Sequence, residues 1–153
     1  MPVNSAYAGR EYPPGPVYEV AREKLREFAD AVGADHPLHH DADAARAAGH
    51  PDVIAPPTFA VVIAQRAEEQ YVGDPDAGVD FSRVVHAEER FSYHRPIHAG
   101  DRLVTVLHVD SIVERGGLSM VTTRAEIATE DGSAVARVVS TLAVRGTDPE
   151  VGA

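Results

Sequence analysis

The period of the apolar positions changes along this chain. From Ala21 to Val32, Leu25, Phe28, Ala29 and Val32 fall at i, i+3, i+4 and i+7, with Arg22, Glu23, Arg26, Glu27 and Asp30 between them. This spacing predicts an amphipathic helix, and Gly33 follows as its expected C-cap. Just before it, Val17 to Val20 predicts a short strand. Pro56-Pro57 then introduces an unbroken apolar run, Phe59 to Ala64, followed by the polar Gln65, Arg66, Glu68 and Glu69. A helix starting near Pro57 and running through Gln70 would be enclosed in its first two turns and solvated at its end, which is how Glu68 and Glu69 read.

From Val84 onward the pattern is strand-like, in four segments: Val84 to Tyr93, Leu103 to Val113, Leu118 to Thr129 and Ala134 to Val144. Turn residues separate them at Pro96 to Asp101, Gly116-Gly117 and Asp131-Gly132, so an antiparallel meander is expected. Arg95 and Asp101 read as the frame of the first of these turns. Phe91, Tyr93 and Met120 read as core. An antiparallel sheet long enough to curl around one apolar helix is the α+β hotdog architecture. One domain over residues 1–153 is expected, with residues 1–16 a flexible extension and 147–153 a flexible tail. No internal repeat is present. Residues 34–52, rich in His and Asp around a short helical piece at Ala42 to Ala48, form a long excursion of the kind that carries function.

Composition narrows the function. Hydrophobic residues make up 44% of the 153, enough for one core, while aromatics are 6% and tryptophan is absent, so Val, Ala, Leu and Ile must fill it. A formal charge of −10 repels a phosphate backbone, which argues against a nucleic-acid partner. No apolar run approaches the roughly 20 residues of a membrane helix, and the first residues have no leader pattern, so the expected location is the cytoplasm. Without cysteine, thiolate nucleophiles, thiolate metal sites and disulfides are excluded.

Three stretches carry a resemblance. Gly33-Ala34-Asp35-His36-Pro37-Leu38-His39 is similar to the G-D-x-N-P-L-H signature of the MaoC-like (R)-specific hydratase/dehydratase family. Val53-Ile54-Ala55-Pro56-Pro57-Thr58-Phe59 resembles the family's approach to its buried helix, and Arg95-Pro96-Ile97-His98-Ala99-Gly100-Asp101 its R-P-x-x-x-G-D turn. Gly9-Arg10-Glu11-Tyr12 with Val17 to Val20 looks like the N-terminal subgroup, the UPF0336 type similar to actinobacterial (3R)-hydroxyacyl-ACP dehydratase subunits. The resemblance implies reversible hydration of an enoyl thioester on coenzyme A or acyl carrier protein, without a cofactor. That reaction requires a group to move the α-proton, a group to hold water or the leaving hydroxyl, and an N–H for the thioester oxygen. By resemblance these are a His, an Asp and a Gly at the start of the buried helix.

His39 stands at the His position, and imidazole, with an unperturbed pKa of about 6.5, is a workable proton carrier. The Asp position is Ala34. Asp35 replaces it only if the loop shifts by one residue, which in extended backbone turns the side chain to the other face. The Gly position is Pro57, which has no N–H, leaving Thr58 as the next donor. These two losses favour a substrate-binding chain, with Thr58, Phe59 and Val62 along an acyl channel, that is active with a catalytic MaoC-like partner. A homodimer or heterodimer, joined edge to edge, is expected. The alternatives are a self-sufficient hydratase using Asp35 and His39, or a non-enzymatic acyl-thioester-binding module. A thioesterase is disfavoured because Thr58 to Val62 contains no carboxylate. The cluster His36, His39, His40 and Asp41, with His50 and Asp52 near, has metal-ligand chemistry but lies on a proline-containing loop, so no metal site is assigned.

Overall fold

A computed structural model describes residues 2–146; the expected tail, 147–153, lies outside the described residues. Five strands form one antiparallel sheet: β1 (Tyr18–Glu19), β2 (Val84–Tyr93), β3 (Arg102–Arg115), β4 (Leu118–Thr129) and β5 (Ala134–Arg145). Three helices accompany it: α1 (Arg22–Val32), α2 (Ala42–Ala47) and α3 (Ala60–Val72). The sheet curls around α3 in a hotdog fold, and register shifts at His86/Glu88, Val109/Ser111 and Ile127/Ala128 bend it.

The spatial order is β1-β3-β4-β5-β2, which corrects the expected meander. Only β3, β4 and β5 follow one another as hairpins; β2 crosses to pair with β5, Glu89 opposite Ser140 and Phe91 opposite Val138. The crossing segment is held from both ends. Ile97 and Ala99 are buried, Ala55 N–H donates to the Ile97 carbonyl at 2.7 Å, and Ala99 N–H donates to Val53 at 2.9 Å. Arg95 gives Asp101 two parallel hydrogen bonds, 2.9 and 2.8 Å, and Asp101 also accepts the His98 N–H. The pair frames the turn as its spacing predicts.

Alternation along the strands explains the core. In β3, Leu103, Thr105, Leu107 and Val109 face inward, and in β4 Val121, Thr123, Ala125 and Ile127 do the same. Opposite them α3 buries Ala60, Ile63, Ala64, Ala67 and Tyr71. Three of these five are alanines, which lets the helix lie close to the sheet. The helix starts at Ala60, later than the expected Pro57, because residues 57–59 form a turn that closes with Phe59 N–H on the Pro56 carbonyl. Glu68 corrects a second expectation: it is 4% exposed, and its carboxylate accepts a 2.7 Å hydrogen bond from the Thr123 hydroxyl. Burial of a carboxylate is tolerated only with such a partner.

On α1, Leu25 and Ala29 are buried and Phe28 half-buried, whereas Val32 is exposed, since the apolar stripe ends one turn early. Gly33 caps the helix with φ 71°, its N–H reaching Ala29 and Asp30. Residues 2–16, expected as a flexible extension, run along the outer edge of β3. Gly9, Tyr12 and Gly15 donate to Val109, Leu107 and Thr105, and Val3 and Tyr7 are buried. Tyr93 departs from the expected core position: Phe91 is half-buried, but Tyr93 is exposed, its ring stacked 6.5 Å from Phe91. Both lie on β2, an edge strand with no neighbour on its outer side among the described residues.

Loop 34–52 is tied to α1. Arg26 donates to the His40 carbonyl at 2.8 Å, and Arg22 gives Asp52 two hydrogen bonds of 2.9 and 2.7 Å. Arg22 holds the Asp52 carboxyl down to about 2, from an ordinary value of 3.8, with partial burial opposing and the Val53 N–H assisting.

Two outcomes follow from this packing. Phe59 is fully buried, edge-on to Phe28 at 5.2 Å and to Tyr18 at 6.4 Å, so Phe59→Ala should cost about 3–5 kcal/mol in urea denaturation. A loss under about 1 kcal/mol would contradict the packing. Because the folded pKa of Asp52 lies below its unfolded value, the pair stabilises fully above about pH 4 and ceases to do so as pH falls through about 2. Acid melts of wild type and Arg22→Ala should therefore differ at pH 6 and converge near pH 2; a constant gap would remove the ion pair as its source.

Candidate functional site

The excursion places three imidazoles within five residues, each with a defined partner. The His36 ring accepts the Leu38 N–H through Nδ1 at 3.2 Å, opening the turn Pro37–His39. The His40 Nε2 meets the Ala34 carbonyl at 2.8 Å. His39 Nδ1 lies 2.8 Å from the Ile54 carbonyl. A carbonyl only accepts, so Nδ1 is the donor in this contact and Nε2 is the ring nitrogen left to face a substrate. The backbone reinforces this: Ile54 N–H donates to Leu38 at 3.0 Å, so loop and approach strand are bonded on both sides of the imidazole.

The groups expected beside His39 are placed as follows. Ala34 offers a methyl group. Asp35 is exposed, and among the described residues no hydrogen bond joins it to His39. Thr58 is exposed in the turn before α3, and its N–H has no hydrogen-bond partner among the described residues. Phe59 is packed between Phe28 and Tyr18, and Val62 is half-buried on α3. Among the described residues no group of three or more His, Cys, Asp or Glu side chains is arranged to hold a metal ion.

The N-terminus of α3 is where a backbone donor for a developing oxyanion would stand. Here a side chain of the protein reaches it: the Tyr93 hydroxyl donates to the Pro57 carbonyl in the turn that opens α3. Burial pushes the Tyr93 phenol up and the Ala60 N–H opposes it, so the hydroxyl stays protonated and donating at neutral pH. Sequence reading missed this role because alternation along β2 says which face Tyr93 takes and nothing about how far its hydroxyl reaches.

A cavity of about 680 Å³ opens elsewhere, between residues 14–18 and α3, with Ile63, Ala67 and Thr105 among its walls. Neither His39 nor Thr58, Phe59 or Val62 lines it. Tyr18 borders the cavity on one side and packs on Phe59 on the other.

Comparison with known proteins agrees with the geometry. The profile of the FAS1-like, dehydratase domain region matches residues 6–138. A UPF0336 protein from Saccharopolyspora erythraea is 57% identical over 152 residues, covering 98% of this chain and 97% of its own. Another from Leifsonia xyli subsp. xyli is 50% identical over 148 residues, covering 97% and 99%. Among solved structures, a chain of the C-terminally truncated HadBC (3R-hydroxyacyl-ACP dehydratase) complex from Mycobacterium tuberculosis superposes with TM-score 0.80 at 33% identity, covering 90% of this chain and 96% of that one. A MaoC-like dehydratase gives TM-score 0.87 at 33% identity, covering 94% of this chain and 44% of that longer one. With a curled sheet around α3, an imidazole loop at its approach and relatives matched nearly end to end, the chain belongs to the UPF0336 family of FAS1-like, MaoC-like dehydratase-region proteins.

Proposed function

We propose that the chain is the substrate-binding subunit of a (3R)-hydroxyacyl-thioester dehydratase, taking its acyl group on acyl carrier protein or coenzyme A and acting with a catalytic MaoC-like partner. The carrying observation is the N-terminus of α3. Dehydration removes the α-proton and the 3-hydroxyl while negative charge gathers on the thioester oxygen, and a preorganised N–H there is worth about 10²-fold or more in rate. In this chain Pro57 has no N–H, and its carbonyl is taken by the Tyr93 hydroxyl. Ala34, at the carboxylate position, can hold neither water nor hydroxyl. His39 remains to move a proton and the exposed Thr58 N–H is the one donor left, one residue past the glycine position, but without a carboxylate these two groups do not make the reaction.

A partner would supply what is missing, and β2 is the strand to receive it. It is the sheet's outer strand, with Val85 64% exposed and Phe81, just before it, 69% exposed. An unpaired strand edge with exposed apolar side chains is a template for pairing. The solved HadBC relative, at 33% identity, is itself a complex of two chains, which supports the same arrangement here.

The test is hydration of a trans-2-enoyl thioester by the purified chain, by a candidate catalytic MaoC-like chain, and by the two mixed. The mixture should work far faster than either alone. A general acid–base group contributes about 100-fold or more, so His39→Ala in the mixture should change the rate by less than about threefold. Full activity of the chain alone, abolished by His39→Ala or Asp35→Asn, would replace this reading with a self-sufficient hydratase.

A further inference from the structure

The cavity between residues 14–18 and α3 is not used by the dehydratase reading. Its apolar walls are Pro14, Pro16, Val17, Ile63 and Ala67, and Arg66, Glu69 and Gln70 also line it. At about 680 Å³ it falls within the range of small-molecule sites. Most arginines of this acidic protein are paired. Arg10, Arg22, Arg26, Arg46, Arg83, Arg90, Arg95, Arg102, Arg124 and Arg137 each have a carboxylate oxygen within 4.0 Å. Arg115, Arg145 and Arg66 have none among the described residues, and of these three only Arg66 lines this cavity. The Arg66 guanidinium sits 4.8 Å from the centre of the Tyr18 ring, where a cation–π contact orients it without neutralising it.

We propose that this cavity binds an amphiphilic monoanion, a medium-chain carboxylate, with its hydrocarbon on Ile63, Ala67 and Val17 and its carboxylate on the Arg66 guanidinium. Charge decides between ligand classes. An uncharged apolar ligand would leave the guanidinium with no anion, whereas a carboxylate matches its paired donors in a bidentate contact. Glu69 limits the ligand to a single negative charge, because its carboxylate lines the same cavity and repels a second. Tyr18 lines this cavity and meets Phe59 edge-on, and neither His39 nor Thr58 is among the lining residues, so the proposal does not depend on the dehydratase reading.

Decanoate and decanol, titrated calorimetrically into the full chain, are the probes. Decanoate should bind, decanol should bind about tenfold or more weakly, Arg66→Ala should weaken decanoate by a similar factor, and Glu69→Gln should tighten it severalfold. Both substituted side chains are exposed, so melting curves should match wild type. Amide shifts on adding decanoate should centre on Val17, Tyr18, Ala67 and Gln70. Absence of decanoate binding, equal affinity for decanol, indifference to Arg66→Ala, or shifts centred on His39 would each overturn the proposal.

Discussion

The structure is organised by one requirement: α3 carries a broad apolar face that has to be kept from water, while Gln65, Arg66 and Glu69 stay exposed. Ala60, Ile63, Ala64, Ala67 and Tyr71 all face the sheet, and a flat sheet covers only one flank of a helix. Curling, set by the three register shifts, brings β3, β4 and β5 around it. Another flank is covered in part by the segment from Val3 to Tyr18, which lies along β3 and buries Tyr7 against Tyr71, their rings 6.1 Å apart. Closure at the N-terminal end of the helix falls to Phe59, Phe28 and Tyr93. The functional geometry is therefore a by-product of how that end was sealed.

Sealing the end and doing chemistry there compete for the same atoms. A helix start that is to hold an oxyanion must leave its N–H groups free. In this chain neither of the paired prolines has one to give, and the Tyr93 hydroxyl bonds the Pro57 carbonyl beside them. The exposed Thr58 N–H is what this terminus still offers. The imidazole loop beside it remains ordered, with the His39 Nδ1 held on the Ile54 carbonyl. Persistence of that loop without its chemical partners fits a chain that shapes a site instead of running it.

Much of the architecture was readable from residue order. Helix α1 with its Gly33 cap, the buried helix after Pro56-Pro57 and the long strands follow from local periodicity, which is a property of neighbours in sequence. The strand order was not readable, because nothing within β2 says that β5, not β3, will be beside it; that is fixed by Ile97 and Ala99 burying in the crossing segment. Glu68 misled for a related reason. A carboxylate near a helix end is usually solvated, and only the Thr123 hydroxyl, distant in sequence, reverses this. At the site, the lost carboxylate at Ala34 and lost donor at Pro57 were legible as missing atoms. Tyr93 was not, since its role depends on reach across the gap between strand and helix.

The crossover of β2 also bears on how the molecule assembles. Hairpins β3-β4 and β4-β5 join strands that are adjacent in sequence, and such local closures are entropically inexpensive and fast. Both sheet margins depend on distant segments: Tyr18 finds Leu103, and Val84 finds Val144. A three-stranded centre is therefore the natural kinetic core, with both flanks added afterwards. The margins of the sheet are the parts whose formation waits longest, which leaves a newly made chain exposed along both edges until the late contacts close.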